Sequence, residues 1–435
     1  GLYLFEVIHC NVNPVVNIRA LLHKRQIELR SLEMTSLIRI GVRKASLIAP
    51  RSLLVKINYQ STRTITSRLD ELPPKPKPWP YNEKPYTNLQ YFFDKTTPRF
   101  DENTKLIIVE GPVASGKSKL AKEIAKSFGM IYYPEANLDM QYINPYGYDL
   151  RQLDSMLPPS CKSFDVMDFM RNPNHMLVAR WQIEQYMIKV SQYIDALAHL
   201  LSTGQGVVLD RCAFSDFVFV EAMYSQKYLS KPAYKKYYEF RRSTIDHLLK
   251  PHLIIYLDVP VSKVLENVRQ RNISYEKNSP VFTQQYLEVM EKTYKQKYLK
   301  EMSPNAELLV YDWTVEGDTD IVVEDVEAID FDKYDEQDSH FQDWNLPNEE
   351  EWGCVRSRYA DQKEDILSYA NVQTYDVPEL LMSGEDSEIY FRVMDEAPGQ
   401  QYEFGYNKSM GDGGFLFKWD RPTRSTLPLR ERRTV

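Results

Sequence analysis

No apolar run in this sequence approaches the ~20 residues that a bilayer-spanning helix needs, so the chain reads as soluble or peripheral to a membrane. Cysteine is scarce and scattered. Cys10, Cys161, Cys212 and Cys354 form no C-x-x-C pair, which argues against a zinc site, a disulfide framework or an iron–sulfur cluster. No G-x-G-x-x-G fingerprint for NAD or FAD is present either. Basic charge is in deficit over most of the chain. Residues 69–435 carry 43 basic and 58 acidic side chains, a net of −15, which disfavours a nucleic-acid partner and leaves room for one small nucleotide in a local pocket. There is no internal repeat.

One segment lacks acid instead. From Met34 to Leu69 stand Arg39, Arg43, Lys44, Arg51, Lys56, Arg63 and Arg68 with no Asp or Glu, among Ser, Thr, Leu and Ile. This is the pattern of a mitochondrial transit peptide, or of a basic amphipathic helix that stays on the protein. On the first reading Met34 is the start and residues 1–33 are upstream sequence. The spacing predicts four regions: presequence to 68, a Pro-rich arm over 69–100, an α/β domain over 101–315 and an acidic extension over 316–435. The arm carries Pro73, Pro74, Pro76, Pro78, Pro80 and Pro85, and reads as a spacer or as a strap across a partner. Residues 316–351 hold fifteen acids and one base, Lys333, with Phe331, Tyr334, Phe341 and Trp344 between them. Such a segment is either a solvated tail or one that folds against its own domain or a neighbour. The last stretch, "DGGFLFKWDRPTRSTLPLRERRTV", turns basic and suits draping.

Between them, strands and helices alternate, which predicts a parallel sheet flanked by helices. Expected strands are "LIIV", "MIYY", "GVVLDR", "HLIIYLDV" and "ELLVYDW". Residues 174–203 form a long helix with Ile183, Met187, Val190, Ile194, Leu197 and Leu201 on a buried stripe. The chemistry starts at "LIIVEGPVASGKSKLAKEIAKSF". Gly111, Gly116, Lys117 and Ser118 match G-x-x-x-x-G-K-[ST], with a strand before and a helix after. Glycines let the loop turn its N–H groups inward, and the helix dipole favours an anion there. Lys117 would reach the terminal phosphates and Ser118 would hold Mg2+.

The P-loop, "WQIEQY", "LDRCAFSDFVFVEAMY" and "ENVRQRNISYEK" together resemble the deoxynucleoside kinases over Leu106 to about Trp313. With its basic, Pro-rich and acidic extensions, the whole chain is similar to the family of 42 kDa accessory subunits of mitochondrial respiratory complex I, which has the deoxynucleoside kinase fold. The resemblance implies a retained site for ATP, ADP or a deoxynucleotide. It also implies other complex I subunits as partners, and a place on the matrix side of the inner membrane.

By the same resemblance, Gln182 and Asp216 would read the base, with Lys189 where some members place a base-contacting arginine. The plainer readings are a polar helix position for Gln182 and a helix cap for Asp216. Asp210 and Arg211 match the acid–Arg pair of a [DE]-R-S motif, with Cys212 in place of serine. Arg211 would face the phosphates, and Glu135 would be the catalytic base. The family order is Glu-Pro, however. Here Pro134 precedes Glu135, which would aim the carboxylate elsewhere. In the lid, Arg269 and Arg271 fill two of three arginine positions, Ile273 stands at the third, and Tyr275 and Glu276 stand where two glutamates belong. Lys277 is a candidate substitute for the missing arginine. The implied protein keeps nucleotide without passing on its phosphate and contributes to assembly and stability. The alternatives are a working mitochondrial deoxynucleoside kinase and a nucleotide sensor.

Overall fold

In a computed structural model, the structure describes residues 64–412 apart from 88–89, 335–337 and 403. The transit-peptide reading falls almost wholly on residues 1–63, and the basic final stretch on 413–435, outside the described residues. The sheet is parallel, in the order β2-β3-β1-β4-β5. Its strands are β1 (Leu106–Glu110), β2 (Ile131–Tyr133), β3 (Val207–Asp210), β4 (Leu253–Asp258) and β5 (Glu307–Asp312), one for each expected strand. Runs such as "LIIV" and "LIIYL" lack polar alternation because both sheet faces are covered, and every residue of β1 and β3 is buried. Ile107 lies between Val208 and Leu253 in the adjacent strands. The winding reverses across β1, so the crevice at the carboxyl end of that strand is where a ligand fits.

The longer helices, in chain order, are α1 (Lys117–Ser127), α2 (Val166–Arg171), α3 (Val178–Thr203), α4 (Phe217–Ser225), α5 (Lys231–Thr244), α6 (Val261–Arg271), α7 (Gln284–Thr293), α8 (Thr319–Glu327), α9 (Glu349–Ala360), α10 (Lys363–Ser368) and α11 (Gly384–Asp395). Helix α3 ends where Gly204 takes a left-handed φ of 71° and returns its N–H to Leu200. The predicted stripe on α3 is buried, but so are Arg180, Glu184, Lys189 and Gln192 on its other sides. One reason is α9, which lies along α3 and covers a face a free helix would show to solvent.

Over its described residues the acidic extension therefore is not a tail. Phe331, Trp352, Tyr359, Ile366 and Leu367 belong to the same apolar core as β1. His252, just before β4, packs at a tilt against Trp344 with centroids 4.2 Å apart, and the Trp344 indole donates to the Lys250 carbonyl at 2.8 Å. Of the two expectations for the aromatics, folding against the chain's own domain is the one realised.

The arm is likewise fixed. Lys75 pairs with Asp101 at 2.8 Å, and the Tyr81 hydroxyl lies 2.8 Å from Nδ1 of His199 on α3, so the proline run lies across this domain. Arg356 of α9 is fully buried; it pairs with Asp94 of the arm at 2.7 Å, donates to Ser202 of α3 at 3.3 Å, and lies 3.8 Å over the Tyr86 ring. A boundary at 68/69 needs correction. Ile65 is buried, and the N–H groups of Thr66 and Ser67 donate to Asn103 and Glu327. Basic composition pulled these residues into the presequence, but burial places them in the fold.

Candidate nucleotide site

The loop 111–116 joins β1 to α1. Gly111 has φ 151°, and a Cβ there would lie 2.9 Å from the Leu257 carbonyl oxygen, so β4 leaves no room for a side chain. Gly116 has φ 85° and opens α1, whose first N–H groups have no carbonyl within the helix to bond. Lys117 is buried and donates to the Pro112 carbonyl at 3.0 Å, folded back over the loop. Burial, helped by the nearby Arg211 cation, pushes its ammonium down to about 8.

Arg211 follows β3 with φ 60°, an uncommon conformation for a residue with a side chain. Its guanidinium donates to the Gly111 carbonyl at 3.0 Å and to Glu135 at 2.5 Å. This corrects the expectation for Glu135. Despite the Pro134–Glu135 order, the carboxylate faces the cradle, because Gln192 of α3 holds the Pro134 carbonyl at 2.8 Å and sets the loop. Burial opposes the Glu135 charge, but Arg211, Lys117 and Lys189 outweigh it and hold the carboxyl well below its usual range. Ser118 donates to one oxygen of Asp210, and the other Asp210 oxygen is buried without a hydrogen-bond partner. A hydroxyl beside an orphaned carboxylate oxygen fits Mg2+, which typically takes one or two protein oxygens and the phosphates. Cys212 is buried with its thiol 3.7 Å from Glu110, and burial pushes that thiol's pKa up. Burial raises Glu110 to about 7.

At the base end, Asp216 is fully buried. Lys189 donates to one oxygen at 2.6 Å, while Gln182 at 3.0 Å and Tyr237 at 2.7 Å donate to the other. Asp216 does not cap α4, so the capping reading fails: the residue has helical dihedrals and its side chain turns into this network. Three donors, Gln182 and Lys189 among them, already engage both oxygens. Tyr237 carried no signal in the sequence, since it sits outside every motif.

The lid is less assembled. Asn267 of α6 ties it to the loop by donating to the Ala114 carbonyl at 3.0 Å. Arg269 is exposed and has no ion-pair partner among the described residues. Arg271 pairs with the buried Glu276, and Lys277 donates to Asn272 at 2.9 Å. None of the three donates to the cradle. Among the described residues no group of three or more His, Cys, Asp or Glu stands ready for a metal ion.

The deoxynucleoside kinase family profile matches residues 107–344. The Mus musculus protein named NADH dehydrogenase (ubiquinone) 1 alpha subcomplex subunit 10, mitochondrial, is 39% identical over 322 residues, 73% of this chain and 85% of its own. A Dictyostelium discoideum deoxyguanosine kinase is 24% identical over 233 residues, 53% of this chain and 72% of its own. A solved deoxyadenosine kinase from M. mycoides with bound dATP is 16% identical, with a TM-score of 0.38 over 52% of this chain and all of that one. Likeness to the mouse protein runs beyond the span shared with the kinase. The chain belongs to the deoxynucleoside kinase family, in the branch named for subunit 10 of the NADH dehydrogenase alpha subcomplex.

Proposed function

We propose that this chain is an accessory subunit of mitochondrial complex I that holds a nucleotide without passing on its phosphate, and that it serves assembly and stability from the matrix side. The subunit names carried by relatives at 36–39% identity support the partners and the compartment. One observation carries the separation of holding from transferring. The cradle of Gly111, Gly116, Lys117 and Ser118 is formed, whereas Arg271 is spent on Glu276 and Ile273 leaves its position without a cation. Phosphoryl transfer depends on positioning and charge stabilisation, so absent lid cations cost orders of magnitude in rate while binding survives. Mg2+, held by Ser118 and Asp210, would neutralise phosphate charge. Gln182 and Lys189 would meet the base, and Arg211 the phosphates. The bound nucleotide then stabilises the folded state by mass action.

The kinase alternative draws on Glu135, which sits beside Arg211 where a base could act. Full-length chain assayed with ATP and each deoxynucleoside, against Lys117→Ala, decides. Nucleotide-dependent thermal stabilisation, lost in Lys117→Ala, without turnover above that variant is the expected result. Turnover well above it overturns the reading.

A further inference from the structure

Trp313 is the first residue beyond β5, at the carboxyl edge of the sheet. Its N–H donates to the Asp258 carbonyl at 2.8 Å and continues the β4–β5 ladder, which fixes the residue. The side chain is only 7% exposed. It meets Tyr311 edge to face with centroids 6.2 Å apart, and Gly317 packs on its ring so closely that a Cβ at 317 would lie 2.8 Å from Cζ3. On the other side the indole nitrogen lies 3.8 Å from where a Gly116 Cβ would be. That N–H has no hydrogen-bond partner among the described residues, and its nitrogen is not sealed from solvent, so it is open to a ligand or to water. The ring is packed while the nitrogen stays reachable, the split expected of a tryptophan whose apolar body is buried and whose polar edge meets a ligand or water.

We propose that Trp313 is a nucleotide ligand whose indole N–H donates to the phosphate chain at the Gly116 end of the cradle. The proposal rests on the reading that the cradle keeps its nucleotide. The surroundings favour an anion at this point. The α1 amino terminus opens at Gly116, and Lys117 and Arg211 add positive charge. Gly116 is the one residue there without a side chain, so nothing stands between the indole and an oxygen seated on the loop.

Trp313 also opens the extension. Just beyond it Glu316 pairs with Lys119 at 2.7 Å, and Thr319 donates to Glu123, both partners lying on α1. A phosphate that engages Trp313 therefore holds the first residues of the extension against the phosphate-binding helix. This gives the nucleotide a route to the extension that needs no phosphate transfer.

The test uses full-length chain, with ADP and inorganic pyrophosphate as probes in equilibrium titrations. Trp313→Phe keeps the ring and removes the donor. The expected result is about tenfold weaker binding of both probes, the usual scale for a hydrogen bond to a charged acceptor. If the parent binds ADP and Trp313→Phe binds it equally well, the proposal is overturned and nucleotide retention stands. If only ADP weakens, the contact is to sugar or base, and the phosphate assignment is overturned. If the parent binds neither probe, both readings fall. A lower melting midpoint of the ligand-free variant does not disturb the readout, because the comparison between the probes is made on folded protein.

Discussion

Arg211 and Glu135 follow the neighbouring strands β3 and β2 and meet at 2.5 Å, with the arginine almost wholly buried and the carboxylate part-exposed. Glu135 thus occupies the guanidinium that a phosphate would otherwise engage. Glu135→Gln is expected to lower the ligand-free melting midpoint, since Arg211 loses its counter-charge beside Lys117. It is also expected to enlarge the shift caused by ADP. A smaller ADP shift would mean that the carboxylate helps to hold the ligand.

Proton uptake should accompany nucleotide binding in mildly alkaline solution. Free Lys117 titrates near 8, because burial and Arg211 disfavour its charge. A bound phosphate chain favours the charged form and raises that value. Affinity is therefore steady below about pH 8 and falls above it, by up to tenfold per pH unit until the bound-state value is reached. Calorimetry at pH 8.5 in buffers of different ionisation enthalpy reads the proton directly, and identical heats would refute the assignment.

The lid contact gives a prediction of modest size. Arg271 is 45% exposed, so its pair with Glu276 is worth about 0.2–1 kcal/mol. Glu276→Gln frees the guanidinium and should tighten ADP binding by no more than about fivefold, without producing kinase turnover, because Ile273 still supplies no charge. Turnover in that variant would assign the lost activity to this pair alone.

Arg356→Ala should be among the most damaging single changes outside the cradle. It removes one of the two arginines paired with Asp94, which keeps Arg99, and takes the partner from Ser202 and the cation from Tyr86. Breaking a buried pair from one side costs about 3–5 kcal/mol. Urea denaturation with an unchanged slope and a lower midpoint is the expected record.

His252 makes the fold sensitive to acid. Its Nδ1 accepts the Leu106 N–H at 3.0 Å, and burial, then Lys105, holds its pKa well below the ordinary value. The unfolded chain takes up that proton near pH 6.5 and the folded chain does not. Stability from this residue is complete above pH 6.5 and is lost as pH falls below it. Melting midpoints between pH 7 and 5 should fall less steeply in His252→Gln than in the parent.

The sheet was legible because each strand is a short apolar run closed by Gly, Pro or charge, and the cradle because its spacing is itself the geometry. What the sequence concealed depends on partners far along the chain. Pro134 made Glu135 look misaimed until Gln192, on another helix, was seen to hold the loop. Asp216 read equally well as a cap or a base contact, and Lys189, Gln182 and Tyr237 decide against the cap. In the extension the dense acids suggest a solvated tail, while the aromatics between them argue for a segment that folds against something. Those aromatics do pack, and what the sequence did not report is the role of the single Arg356, whose partners lie in the arm and on α3.

Asp94 and Arg356 lie 262 residues apart, yet each completes the other's site. A chain delivered amino terminus first presents Asp94 and Tyr86 long before their clamp exists. The arm has contacts to Asp101 and His199 before α9 is made, but the pairing of Asp94 with Arg356 waits for that helix. Loss of the final hundred or so residues would consequently be felt at both ends, leaving a kinase-like core whose leading strap lacks that clamp.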